Sequence, residues 1–282
     1  MSLIINSPLV SVDWLFSNLE NKNLIVLDAT ISKVTSKTNS ITRDVKKVIK
    51  EAVFFDIKNV FSDTNSFFPN TILSKEQFEI KAKEIGVNKN SCIVVYDDLG
   101  IYSSPRVWWM FQLMGFKNIA VLNGGFPEWK LKKFPIQNFY NVNNEIGNFK
   151  INYQPKKIKT TSEVLNVIKN DVVLIADARS KARFLAKEAE PRKGLRGGHI
   201  PNSVSLPFSK IVENGKMLPL DELKIIFKEL KLLNKELIFS CGSGVTASIL
   251  ALAAELVKIK EYAVYDGSWT EWGSTLNLPI EK

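Results

Sequence analysis

Four stretches in the first half of this 282-residue chain recur, in the same order, in the second half. Leu24-Ile25-Val26-Leu27-Asp28-Ala29 returns as Val173-Leu174-Ile175-Ala176-Asp177-Ala178. Cys92-Ile93-Val94-Val95-Tyr96-Asp97 returns as Glu236-Leu237-Ile238-Phe239-Ser240-Cys241. Asn123-Gly124-Gly125-Phe126-Pro127-Glu128-Trp129 is answered by Asp266-Gly267-Ser268-Trp269-Thr270-Glu271-Trp272, and Phe134-Pro135-Ile136 by Leu278-Pro279-Ile280. A shared offset of about 145 residues implies duplication of a whole folding unit, each copy long enough to bury a core. Within each copy, short apolar runs read as buried strands. Residues 74–85, 107–113, 220–232 and 249–256 carry helical patterns between them. Strands alternating with helices predict an α/β fold, with a parallel sheet covered on both faces in each copy. The reading divides the chain into a domain over 1–138, an Asn-rich polar linker over 139–154, and a domain over 155–282.

Composition excludes several function classes. No apolar stretch approaches the ~18 residues of a membrane span, and Met1-Ser2-Leu3-Ile4-Ile5-Asn6 lacks a basic region and apolar core, so neither a membrane nor a leader is expected. The two cysteines, Cys92 and Cys241, lie in different halves. They supply neither a disulfide framework nor a thiolate metal cluster, so no metal is expected and a reducing cytoplasm is the simplest location. The net charge of +9 comes mostly from scattered lysines such as Lys46, Lys47 and Lys50. Without an arginine and aromatic stripe, nucleic acid is not an expected partner. The six arginines are more telling, because Arg179, Arg183, Arg192 and Arg196 fall within eighteen residues.

The chemistry concentrates at Cys241-Gly242-Ser243-Gly244-Val245-Thr246, between the apolar run ending at Ser240 and the helix-favouring Ala247-Ser248-Ile249-Leu250-Ala251-Leu252. A strand, a glycine-bearing loop and a helix N-terminus form an anion cradle. The glycines let backbone N–H groups turn inward, and the helix adds partial positive charge. A thiol at that focus ionises readily, and the thiolate is the nucleophile. A buried structural cysteine is the competing reading, disfavoured by the loop around it.

Together with Asp177-Ala178-Arg179-Ser180-Lys181-Ala182-Arg183-Phe184, Glu190-Pro191-Arg192-Lys193-Gly194, Gly198-His199-Ile200-Pro201 and the closing Asp266-to-Trp272 segment, this loop resembles the tandem rhodanese-type sulfurtransferases. The likeness spans both halves and includes Phe54-Phe55-Asp56-Ile57 and Tyr102-Ser103-Ser104-Pro105-Arg106-Val107-Trp108-Trp109. It implies two tandem rhodanese-like domains, the first non-catalytic, and no cofactor. Cys-Gly-Ser-Gly-Val-Thr is similar to the 3-mercaptopyruvate branch, whereas the thiosulfate branch typically carries Arg and Lys at the positions of Gly242 and Ser243. The resemblance implies a Cys241 persulfide, formed from 3-mercaptopyruvate with release of pyruvate and discharged to a thiol, reduced thioredoxin or cyanide. It places Arg183 and Arg192 on the substrate carboxylate and carbonyl, suited to planar guanidinium forks. The backbone from Gly242 through Gly244 and Val245 to Thr246 would stabilise the developing charge. Ser243 is the family's loop hydroxyl, Thr246 reads as a helix N-cap, and Tyr102 either reaches the substrate or packs between domains. Arg183 and Arg192 have an alternative in surface pairing with Glu188 or Glu190, and Arg179 in a brace to Asp177.

One departure stands out. In the mercaptopyruvate branch, an acid soon after Phe-Phe-Asp-Ile and a histidine about eleven residues later form a proposed relay with the loop serine. This chain has Lys58 at the first place and Asn70 near the second, and its single histidine, His199, sits in a turn. The first half offers Tyr96-Asp97-Asp98-Leu99-Gly100-Ile101-Tyr102 where the nucleophile belongs, so it is expected to wall the cleft. Cys92 and the tryptophans 108, 109, 269 and 272 read as core. A cysteine phosphatase needs an arginine six residues after the cysteine, where this chain has Ala247. Thiosulfate:cyanide transfer, or an inactive sulfur-carrier scaffold, are the remaining alternatives. With no histidine relay, the pH profile of turnover should lack a limb near the ~6.5 of imidazole. A clear limb that His199→Asn abolishes would contradict this reading.

Overall fold

The computed structural model describes residues 2–33, 46–142 and 145–282, so residues 143–144 of the polar stretch lie outside it. Each half forms a five-stranded sheet in which every pairing is parallel. In the first sheet the order is Leu9–Val10, Ile119–Leu122, Cys92–Tyr96, Leu24–Asp28, Ala52–Phe54. The second runs Ser203–Ser205, Val173–Asp177, Glu236–Ser240, Tyr262–Tyr265, Ile158–Lys159. The repeated runs thus occupy equivalent strands, and Cys92–Tyr96 and Glu236–Ser240 are the middle strands. Every residue of Cys92–Tyr96 is buried, as continuous apolar runs covered on both faces require.

Local sequence sets the helix starts. Ser74 and Gln77 close a capping box at the head of Lys75–Glu84, and Thr160 and Glu163 do the same for Thr161–Val167. Pro105 occupies the first turn of Ser104–Leu113, where its missing N–H costs nothing. That helix and Ala247–Leu256 follow the two middle strands and pack against each other across the boundary between the halves. Ala247, Ala251, Ala253 and Ala254 of the second helix are all fully buried.

The result is one apolar core shared by both halves, containing Phe55, Trp108, Phe111 and Val95 beside Leu250, Leu252, Phe239 and Leu223. Two smaller cores fill the outer faces, around Leu15 and Trp129 in the first half and Trp269 and Trp272 in the second. The segment entering the second half is strapped to the first. Phe149 is buried and its N–H donates to the Val87 carbonyl at 3.0 Å, while Gln154 N–H donates to Leu113 at 2.8 Å. A shared core predicts a single cooperative unfolding transition, reported alike by tryptophans of both halves. Leu250→Ala should cost about 2–5 kcal/mol and shift that transition as a unit. Two separable transitions in urea would contradict it.

Candidate active site

The loop from 241 to 246 bridges the middle strand of the second sheet to the helix Ala247–Leu256, and the Asp266-to-Trp272 segment lashes it in place. Trp269 N–H donates to the Cys241 carbonyl at 2.9 Å. The Gly242 carbonyl accepts from Thr270 N–H at 2.9 Å and from its hydroxyl at 2.5 Å. Ser268 Oγ donates to the Tyr265 carbonyl at 2.8 Å and accepts the N–H groups of Cys241 and Gly244 at 3.2 Å each. The expectation that every loop N–H faces the cleft is therefore narrowed, since Gly244 N–H is committed to Ser268. Gly244 also has φ +76°, and a Cβ there would lie 2.8 Å from Arg106 Nη1. Thr246 stands at the N-cap position, but its helical backbone (φ −76°, ψ −18°) leaves the side chain without a capping bond. Its side chain lines the cleft instead, beside Val245.

That cleft has a volume of about 640 Å³ and lies between the halves. The second half contributes Cys241, Gly242, Ser243, Arg183 and Arg192, and the first contributes Lys33, Lys58, Phe68, Asn70 and Tyr102. Cys241 is 1% exposed, at the cleft floor. The arginines divide by what they hold. Arg179 grips both Asp177 oxygens, donates to Glu190 at 2.7 Å and to the Gly198 carbonyl at 2.8 Å, and stacks on Trp269; it is a brace. Arg183 pairs with the buried Glu190 at 2.5 Å, while Glu188 accepts the Ser180 hydroxyl instead. Arg192 has no carboxylate partner among the described residues. Within the described residues it donates to Thr270 Oγ1 at 3.5 Å and Ser243 Oγ at 3.3 Å. Burial lowers the pKa of its guanidinium, and the nearby Cys241 charge opposes that shift. Gly242 lies directly beside both cations, and a Cβ there would stand in ordinary van der Waals contact with them, 3.4 Å from Arg183 Nη2 and 3.6 Å from Arg192 Nη1.

The first half supplies the other wall. Asp97, the counterpart of Cys241, turns its carboxylate into its own loop. Its Oδ2 accepts the N–H groups of Tyr102, Ser103 and Ser104 at 2.8–2.9 Å and the Ser104 hydroxyl at 2.6 Å. A loop of this shape does collect N–H groups around an anion, and here the chain fills it itself. The same bonds place Tyr102 in the cleft, where it also packs edge-on against Phe208. Burial pushes its phenol up to about 12, so it stays a hydrogen-bond donor at ordinary pH. Asn70 does meet the loop serine, its Nδ2 lying 2.9 Å from Ser243 Oγ. His199 lies outside the cleft, stacked on Phe184 with Nδ1 2.9 Å from that residue's carbonyl. Cys92 is buried core, its thiol pushed up to about 11 by desolvation, and the four tryptophans are buried as expected.

Sequence reading missed the residues that act through tertiary contacts. Arg106 and Asp266 meet at 2.6 Å across the halves, although 160 positions separate them. Ser268 and Thr270 were visible only as part of a repeated motif. Glu190 was visible only as a possible surface partner, yet its side chain is 2% exposed.

Comparison with known proteins places this geometry. The model of the rhodanese-like domain matches residues 11–132 and again 160–275. The Arabidopsis thaliana protein named thiosulfate/3-mercaptopyruvate sulfurtransferase 1, mitochondrial, is 34% identical over 99% of this chain and 79% of its own length. The 3-mercaptopyruvate sulfurtransferase of Escherichia coli strain K12 is 33% identical over 96% of this chain and 97% of its own. The crystal structure of SseA from Escherichia coli, described as a 3-mercaptopyruvate sulfotransferase with the rhodanese fold, superposes with a TM-score of 0.83 at 31% identity, covering 94% of this chain and 99% of that one. The chain belongs to the rhodanese-like family, with two such domains in tandem.

Proposed function

We propose that this protein is a sulfurtransferase that takes sulfur from 3-mercaptopyruvate onto Cys241 as a persulfide and passes it to a thiol, reduced thioredoxin or cyanide. The observation that carries this reading is Arg192, a half-buried cation without a carboxylate partner among the described residues, held beside Ser243 and lining one cleft with Cys241. An α-keto acid supplies the missing carboxylate. Arg183, partly neutralised by Glu190, offers the second fork for the adjoining carbonyl.

In the first step the Cys241 thiolate attacks the substrate sulfur. The S–S bond forms, the S–C bond breaks, and its electron pair leaves as the enolate of pyruvate. The proton carried by the substrate thiol suffices to convert that enolate to pyruvate, leaving the anionic persulfide. No net proton is needed from the protein, which suits a site without histidine. The N–H groups of Gly242, Ser243, Val245 and Thr246 have no protein acceptor among the described residues and are suited to stabilise the persulfide. In the second step the acceptor takes the outer sulfur and frees the thiolate.

Thiosulfate is the second donor to consider. Lys33 and Lys58 add positive charge to the cleft, and the Arabidopsis relative carries both donors in its name. Its transfer to Cys241 releases sulfite and needs no proton. We assign the donor and acceptor chemistry to 155–282, with 1–138 as the non-catalytic wall and 139–154 as the connection. The matched segments fall on either side of that connection. Cys241 must remain a free thiol, which fits a reducing compartment such as the cytoplasm. No helix among the described residues is long and apolar enough to cross a membrane.

Treating the protein with 3-mercaptopyruvate should release pyruvate and add about 32 Da, one sulfur atom, at Cys241. Cys241→Ser should abolish both, and a wild-type protein that releases no pyruvate would overturn the assignment. Arg192→Gln should lower kcat/KM for 3-mercaptopyruvate about 10- to 100-fold, the worth of one charged hydrogen bond. An unchanged value would remove Arg192 from the substrate site. Faster turnover with thiosulfate than with 3-mercaptopyruvate would reverse the order of donors.

A further inference from the structure

We propose that Asn70 is a positioning residue that fixes the Ser243 hydroxyl as a hydrogen-bond donor to the substrate ketone oxygen, which becomes the enolate oxygen; this rests on the α-keto acid reading above. The amide of Asn70 faces two oxygens, Ser243 Oγ at 2.9 Å and the Ser243 carbonyl at 3.5 Å. Only the NH2 end fits there, because the amide oxygen would oppose that carbonyl. Arg192 Nη2 donates to the same hydroxyl oxygen at 3.3 Å. A serine oxygen has two lone pairs and one proton. Both lone pairs are taken by donors that cannot reverse their roles, and no described residue accepts the proton. The O–H is left for whatever occupies the cleft that Ser243 lines.

Asn70 is itself held firmly. Its backbone has φ +62°, a left-handed conformation that asparagine tolerates better than most side chains. Its carbonyl accepts Arg106 Nη2 at 2.7 Å, and the same nitrogen donates to Asp266 Oδ1 at 2.6 Å. Asp266 Oδ2 in turn accepts the N–H of Ile72 at 2.9 Å. The strap carrying Asn70 is thus tied by a buried arginine of the first half to a carboxylate of the second. A titratable imidazole at this place would accept the serine proton when neutral. An amide donates at every pH, so the serine keeps one polarity throughout.

The test is a double-mutant cycle on Asn70→Gly and Ser243→Ala, with 3-mercaptopyruvate as substrate and pyruvate release as readout. Glycine suits φ +62°, so it removes the amide without straining the strap. Ser243→Ala should lower kcat about 100-fold and Asn70→Gly about tenfold, with KM changed less than about twofold because the arginines hold the carboxylate. The double variant should be no slower than Ser243→Ala alone. Asn70→His should introduce a limb in the kcat profile near ~6.5 that wild type lacks. Multiplying losses in the double variant, an Asn70→Gly effect confined to KM, or an unchanged kcat would each overturn the proposal. Absence of pyruvate release by wild type would instead defeat the functional reading on which it stands.

Discussion

A buried guanidinium from one half and a carboxylate from the other hold the cleft of this protein in register. Arg106 has no exposed side-chain surface, and Asp266 lies almost as deep. Removing one partner of such a pair leaves an uncompensated buried charge, at a cost of about 3–5 kcal/mol. The pair does more than join two domains. Arg106 lies over the Trp109 ring and against Gly244, and the same nitrogen that meets Asp266 holds the Asn70 carbonyl. Asp266 opens the segment whose Ser268 and Thr270 lash the cysteine loop. One ionic contact therefore ties the nucleophile's loop, the strap over it and the domain boundary to each other.

The two halves show how one loop can serve opposite ends. In the first, Asp97 fills the cradle with its own carboxylate and converts binding capacity into rigidity. In the second, the equivalent place belongs to Cys241, whose small side chain leaves the space open to a ligand. The filled loop is not idle, because its hydrogen bonds set Tyr102 on the cleft wall. Duplication followed by self-occupation produces a rigid wall and a reactive floor from one architecture.

Much of this was legible in the chain. Apolar runs ending in Asp-Ala located strands, and the periodic pattern over 74–85 located a helix. The cysteine-glycine loop located the nucleophile candidate, and clustered arginines located its surroundings. The brace of Arg179 to Asp177 was legible as an alternative, but the division between Arg183 and Arg192 was not. Glu190 lies within reach of Arg179 and Arg183 in sequence, and nothing local says that its side chain is buried or that Arg192 meets no carboxylate among the described residues. Thr246 reads as a capping residue by position, yet the backbone angles at the loop exit deny its hydroxyl that bond.

By itself, the sequence determined that a parallel α/β unit occurs twice, because strand and helix periodicities and turn residues are local properties of the chain. It also determined that no histidine could stand beside the loop serine at the expected place. Asn70 lies near that place in the chain, but only the tertiary structure decided that its amide meets Ser243, and with which polarity. Asn70 and Ser243 are 173 residues apart, and their meeting depends on how two sheets and one buried ion pair settle against each other. Contacts of that range are set by packing across the domain boundary, and packing leaves no periodic trace in a single chain.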